Sequence, residues 1–103
     1  SPHVRAALAA RSEFLQRVHS RSGTGGELRK RPRMALSGAQ LLLAHGQLDQ
    51  AATWLDTAQR EGCALNSEVA TQAKQLRVAL ARALGNAAEA EKIGGSPTCP
   101  ESK

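Results

Sequence analysis

Alanine and leucine dominate the apolar residues of this chain. Its 103 residues include nineteen Ala and thirteen Leu, against four Val, one Ile, one Phe and one Trp. A β-sheet needs β-branched and aromatic side chains to fill its faces, and these are nearly absent. Ala and Leu are strong helix formers, so we expect an all-α fold. Because Ala buries little area, we also expect a modest hydrophobic core.

Positive charge is concentrated in the first third of the chain. Residues 1–33 contain eight Arg or Lys against two acidic residues, whereas residues 34–103 contain six against seven. The net charge of +5 therefore reflects a basic N-terminal arm. No stretch reaches the roughly 18–20 apolar residues of a membrane span, so we expect a soluble chain with no membrane partner.

The two ends of the chain differ in pattern from its middle. Apolar residues at helical spacing predict an N-terminal helix in residues 1–20. Residues 21–33 are predicted to be a basic flexible linker, because they are rich in Ser and Gly and because Pro32 disfavours helix through the residue before it. Residues 94–103 are predicted to be a disordered tail.

Residues 34–93 are expected to form two antiparallel helical hairpins in series. Gly46, Gly62 and Gly85 are predicted to end helices, because Gly readily adopts the left-handed backbone that follows a helix C-terminus. Helices joined by such short loops are the unit of α-solenoids and small bundles. The expected architecture is therefore a short α-solenoid or bundle of about five helices.

The first predicted hairpin resembles a tetratricopeptide-type repeat. Gly46 lies at the turn, Ala39 lies where that family has a small residue in its first helix, and Ala51 and Ala58 match the two small residues of its second helix. The segment 83–90 resembles the same turn and second helix again. The resemblance implies stacked hairpins that bind a partner protein without catalysis.

The spacing of the two turns separates related repeat families. Gly46 and Gly85 are 39 residues apart, longer than the 34 of strict tetratricopeptide repeats, and this resembles the longer-period repeats of some large bacterial regulators. The pentatricopeptide family, which binds single-stranded RNA, has a similar turn. Its base-reading positions would fall on Leu36 and Asn66, and the apolar Leu36 does not suit that role.

The resemblance also implies a partner-binding surface along the first helix of each hairpin. We expect it to bind a helix or an extended segment of another protein, so that the chain acts as a protein-interaction or scaffolding module. The residues implied are Ser37, Gln40, Ala44, Gln72 and Gln75.

A basic run provides a second candidate contact site, formed by Arg29, Lys30, Arg31 and Arg33. Such a run can contact phosphates or an acidic protein surface, act as a nuclear import signal, or simply be solvated. Proteins that bind single strands stack bases on aromatic residues, and no aromatic residue lies within ten residues of the run. RNA binding through phosphates is therefore the alternative function, and a purely structural segment of a larger protein is a third.

No catalytic, cofactor or metal motif is found. Asp49 and Asp56 lie seven residues apart without a third ligand, and Trp54, beside Leu55, is expected to pack between helices. We therefore predict no enzymatic activity, no cofactor, no metal and no small-molecule substrate.

The cysteine content points to a reducing compartment. Only Cys63 and Cys99 are present, and a small secreted fold usually contains more. We expect Cys63 to be a small buried residue and Cys99 to be a free thiol on the tail. An intracellular location follows, cytoplasmic or nuclear, with mitochondria as a further option because the N-terminus is Arg-rich and acid-poor.

Overall fold

The computed structural model describes residues 2–17 and 25–99, which form five α-helices with no strand among them. In chain order these are α1 (Pro2–Arg17), α2 (Gly25–Ala44), α3 (Leu48–Leu65), α4 (Ser67–Ala83) and α5 (Ala87–Gly95). The predicted all-α class with five helices is confirmed. Residue 1, residues 18–24 and residues 100–103 lie outside the described residues, and so do the parts of the predicted N-terminal helix, linker and tail that fall on them.

Contacts between successive helices show that they run antiparallel. Between α2 and α3, Arg31 pairs with Glu61 and Gly38 lies under the ring of Trp54, so residue numbers rise along one helix as they fall along the other. The same reversed order relates α1 to α2 and α3 to α4. Each helix packs on its neighbours in sequence, and α2 also contacts α4. The molecule is flat, with extents of 43 × 38 × 16 Å.

Two turns have the glycine geometry expected from the sequence. Gly46 and Gly85 have φ angles of 74° and 78°, in the left-handed region that disfavours a β-carbon. After α2, the Gln47 N–H donates to the Leu42 carbonyl at 2.9 Å, and the equivalent bond after α4 has the same length. These bonds satisfy carbonyls that a helix end leaves unpaired.

Small and medium side chains build the core between α2, α3 and α4. Its buried residues are Ala35, Leu36, Ala39, Leu55, Ala58, Val69, Ala73 and Leu80. The ring of Trp54 packs against this core and lies directly over Gly38, where a β-carbon would collide with it. The prediction that Trp54 packs between helices is confirmed. Small residues let the helices approach closely, which compensates in part for the scarcity of large side chains.

Gly62 does not end a helix, so that prediction is wrong. The helix α3 continues to Leu65, and Gly62 is buried within it. A β-carbon at Gly62 would lie 2.7 Å from the backbone nitrogen of Ala70 in α4. Gly62 therefore permits close packing of two helices, a need that the sequence pattern does not distinguish from a helix stop.

The predicted flexible linker 21–33 is wrong for residues 25–33, which belong to α2. Pro32 lies inside the helix, where a proline costs about 3 kcal/mol. Its side chain is almost fully buried, and the preceding Arg31 is held by an ion pair with Glu61. These tertiary interactions offset the local cost of the proline.

The C-terminal segment packs on α3 instead of being disordered. Cys99 forms a disulfide bond with Cys63, with their Cα atoms 5.5 Å apart. The predictions of a disordered tail for residues 94–99 and of Cys99 as a free thiol are therefore wrong, and Cys63, expected to be buried, is half-buried. The two cysteines are separated by 36 positions, and they meet because α4 and α5 fold back on α3. We call residues 96–99 the tail strap.

Candidate interaction surface on the second helix

An exposed face runs along α2. Arg29, Arg33, Gln40 and Ala44 are all exposed and follow one another at spacings of four and seven residues, which places them on one side of a helix. Lys30 is exposed beside them. We call these five residues the outer α2 face, which is about 22 Å long at the helical rise of about 1.5 Å per residue. It unites members of both sites predicted from the sequence, because residues 25–33 are helical.

The cations of the outer α2 face lack acidic partners among the described residues. Neither ion pair within those residues involves Arg29, Lys30 or Arg33. Arg29 and Arg33 lie one helical turn apart, a spacing at which like charges repel. An anionic partner would relieve this repulsion, so the face is suited to acidic groups.

Arg31 is turned away from this face and is used inside the molecule. Its guanidinium donates to both carboxylate oxygens of Glu61, with Nε–Oε1 at 2.6 Å and Nη2–Oε2 at 2.9 Å. It also donates to the backbone carbonyl of Leu15 in α1. The hydrogen bonds that Arg31 donates to the Glu61 carboxylate raise the pKa of Arg31 above its ordinary value. Arg31 therefore joins α1, α2 and α3, and we remove it from the predicted contact set.

Ser37 lies within the outer α2 face, four residues after Arg33 and three before Gln40, and α1 interrupts the face there. Its hydroxyl oxygen accepts a hydrogen bond of 2.9 Å from Nε of Arg11, whose Nη1 also donates to the Ala7 carbonyl. Ser37 is half-buried as a result. Ser37, predicted to bind a partner, instead holds α1 against α2.

The two predicted residues of α4 have different environments. Gln75 lines a shallow cavity of about 420 Å³ between α4, α5 and the tail strap. No residue of α2 lines that cavity, so Gln75 opens onto a different surface. Gln72 is half-buried. The predicted partner surface across both hairpins therefore stays a prediction.

A second concave feature, which the sequence did not reveal, lies between α3, α4 and α5. It has a volume of about 300 Å³, and its lining residues include Ala52, Arg77, Leu80, Leu84 and Ile93. Leu84 is 56% exposed. The sequence signal for this cleft is the three- and four-residue spacing of apolar positions on α4. The same spacing is typical of a helix face that packs on the core, so it does not predict a cleft.

Within the described parts of the chain, residues 2–17 and 25–99, there is no cluster of three or more His, Cys, Asp or Glu side chains that could hold a metal ion. None of the helices described there is long and apolar enough to cross a membrane.

Comparison with protein-family models, curated proteins and solved structures gives no match to this chain.

Proposed function

We propose that this chain is a non-catalytic protein-binding module of the tetratricopeptide-like helical-hairpin type. It presents the outer α2 face to an acidic helix or extended segment of a partner protein. The observation that supports this proposal is the alignment of Arg29, Lys30 and Arg33 with the neutral Gln40 and small Ala44 on one exposed helix face. No cofactor, metal or small-molecule substrate is part of the proposal.

Each part of the face has a distinct role in this proposal. The three cations attract carboxylates and orient the approaching partner, because complementary charges steer encounter and fix register. Single exposed ion pairs contribute only about 0–1 kcal/mol each. Ala44, which has a short side chain, lets a partner backbone approach the far end of the face closely. Binding should therefore be of moderate affinity and weaken as salt is added.

A charge-reversal experiment tests this proposal. The probe is a fluorescently labelled helical peptide with Glu at four-residue spacing, titrated with the full chain and followed by anisotropy. Arg29→Glu combined with Arg33→Glu should weaken binding at least about tenfold, since two favourable ion pairs become repulsive. The proposal fails if the doubly substituted chain binds as the parent does.

A control with the same change in net charge accompanies that experiment. Arg82→Glu combined with Lys92→Glu alters two exposed residues on α4 and α5. If the control weakens binding as much as the α2 variant does, attraction to the whole positively charged chain explains the result and the outer α2 face is not the site.

RNA binding through the same three cations is the alternative outcome. Backbone contacts to a single strand give a salt dependence of about −0.7 in the logarithm of affinity per phosphate neutralised, so three contacts correspond to a slope of about −2. An electrophoretic shift with single-stranded RNA at low and moderate salt measures it. Binding that is tighter than to the acidic peptide and insensitive to base sequence would favour RNA.

We also propose an intracellular location, in the cytoplasm or nucleus, with mitochondria as the further option. The basic residues of the outer α2 face support this, since such runs act in nuclear import. Fractionation of cells that express the full-length protein tests it, and recovery only from the culture medium would contradict it.

A further inference from the structure

The tail strap is held on α3 and α4 by one covalent bond and two backbone carbonyls. The Thr98 carbonyl accepts a hydrogen bond from Nε2 of Gln59 at 2.8 Å, and the Ser96 carbonyl accepts one from Nζ of Lys74 at 2.6 Å. The disulfide between Cys63 and Cys99 follows directly after these bonds. The strap therefore crosses from α5 over α4 to α3.

The strap contributes little to the hydrophobic core. Ser96 and Pro97 are exposed, and Thr98 and Cys99 are only half-buried. The fully buried residues of α3 and α4, such as Leu55 and Val69, belong to the core cluster, which contains no strap residue. The helical framework is thus packed independently of the strap.

Both cysteines are half-buried and not enclosed. A reductant in solution can therefore reach the bond without unfolding of the helices, in contrast to a disulfide sealed in a core.

We infer that Cys63–Cys99 is a thiol–disulfide exchange site that locks the tail strap on α3 and α4, and that a dithiol reductant opens it without unfolding the helices. This inference does not depend on the proposed function of the outer α2 face, which lies on another helix.

The exchange proceeds in two balanced steps. One thiolate of the dithiol attacks one sulfur of the bond, so that a mixed disulfide forms and the other cysteine leaves as a thiolate. The second thiolate of the reductant then attacks the mixed disulfide and releases the remaining cysteine. The dithiol loses two electrons and becomes a disulfide, and the Cys63 and Cys99 thiolates take up two protons.

Opening the strap has a structural consequence at the neighbouring cleft. Gln59, which donates to Thr98 of the strap, also accepts a hydrogen bond of 2.6 Å from Nη1 of Arg77. Arg77 lines the cleft of about 300 Å³ between α3, α4 and α5. Release of the strap frees Gln59 from Thr98, and it also removes Thr98 from the lining of the cavity of about 420 Å³ that Lys74 borders.

The experiment follows the full chain, purified without reductant, as dithiothreitol is added as the dithiol probe. Alkylation and mass spectrometry count the thiols, circular dichroism follows the helices, and hydrogen exchange follows peptides covering residues 94–99. Two thiols should appear together while the helical signal at 25 °C is retained. Exchange in residues 94–96, which lie at the end of α5 and whose last N–H donates to the Ile93 carbonyl, should rise at least about tenfold, with α2 and α3 unchanged, as expected for local opening.

Two variants distinguish the contribution of the disulfide from that of the hydrogen bond between Lys74 and the Ser96 carbonyl. Cys99→Ser, without reductant, should exchange residues 94–99 as fast as the reduced parent chain does. Lys74→Ala keeps the disulfide and should keep these residues protected to within about threefold of the oxidised parent chain.

Three results would overturn the inference. The first is a chain purified without reductant that already has two alkylatable thiols. The second is loss of the helical signal in step with reduction. The third is a Lys74→Ala variant that releases the strap as completely as Cys99→Ser does.

Discussion

The two ends of the molecule are attached to the central helices in different ways. The N-terminal helix α1 contains no buried residue, and the side chains of Arg11 and Arg31 hold it on α2. The C-terminal end buries Ala90 of α5 and is then fastened by the Cys63–Cys99 disulfide. The core cluster receives the partly buried Leu15 from α1 and no residue from α5, so apolar packing against it is limited at both ends. One end uses guanidinium hydrogen bonds and the other a covalent bond.

The largest loss of stability is expected from a substitution in the core that both ends share. Leu55 is fully buried between the helices. Leu55→Ala should lower the free energy of unfolding by about 4 kcal/mol, because it removes buried contacts and leaves a cavity. Chemical denaturation followed by circular dichroism measures this value. A loss below about 1 kcal/mol would show that the core described here does not hold the fold together.

The C-terminal end should show the second largest effect. Cys99→Ser removes a cross-link that closes a loop with a sequence separation of 36, which in the chain-entropy account lowers the free energy of unfolding by about 3.8 kcal/mol. The melting temperature should fall to the same value as that of the reduced parent chain, while α1 keeps its hydrogen-exchange protection. Equal melting temperatures of the oxidised and reduced parent chains would contradict this expectation.

The N-terminal end should respond to Arg31→Ala and not to removal of the disulfide. This change removes the ion pair with Glu61 and the bond to the Leu15 carbonyl, and should cost about 2 kcal/mol because it leaves a partly buried carboxylate without its partner. Hydrogen exchange in α1 should rise while residues 94–99 stay protected. Faster exchange in residues 94–99 with α1 still protected would contradict the role of Arg31 in holding the N-terminal end.

The pH dependence of the Arg31 contribution has a definite sign. The pKa of Arg31 is raised by its hydrogen bond with Glu61, so the folded state favours the charged form. The stability gained from that raised pKa is complete below the ordinary arginine pKa and is lost only as the pH rises through the still higher folded value. The destabilisation by Arg31→Ala should therefore be equal at about pH 7 and about pH 9.

A matched substitution tests whether burial gives the Arg31 pair its effect. Arg60 pairs with Asp56 at 2.9 Å, but their side chains are 67% and 50% exposed. Arg60→Ala should change the free energy of unfolding by less than about 0.5 kcal/mol. If Arg60→Ala and Arg31→Ala lowered the free energy of unfolding equally, burial would not explain the effect of the Arg31 pair.

The smallest effect concerns the turn that leads to the C-terminal end. Gly85 has a positive φ and open space around it, so Gly85→Ala is strained through its backbone alone and should cost about 1 kcal/mol. Gly95→Ala is the control, because Gly95 also has open space but no positive φ. It should change stability by less than about 0.5 kcal/mol. Thermal unfolding of both variants separates the backbone strain at Gly85 from the general effect of adding a methyl group.

Local signals predicted the helices and their turns well. Gly46 and Gly85 end α2 and α4 with positive φ, and Asn66 and Asn86 cap the helices that follow, each accepting a hydrogen bond from a backbone N–H. These features depend on residues within one turn of each other, so a sequence window contains their cause.

Predictions that depended on distant partners were the ones that failed. The sequence pattern indicated that Gly62 ends a helix, but a glycine is needed there because the backbone of Ala70 on the next helix packs against it. Pro32 looked like a helix breaker, but its burial and the neighbouring ion pair keep it inside α2. Because residues 25–33 are helical, the exposed cations lie on the same face of α2 as Gln40 and Ala44. The sequence pattern indicated two separate sites.

The sequence by itself determined that this chain is helical, where most helices begin and end, and that its charge is concentrated towards the N-terminus. Tertiary structure alone decided which of the four clustered cations are free for a partner and that Cys99 meets Cys63. The physical reason is range: helix propensity and capping act within a few residues, whereas ion pairs, burial and disulfides depend on which distant residues the fold brings together.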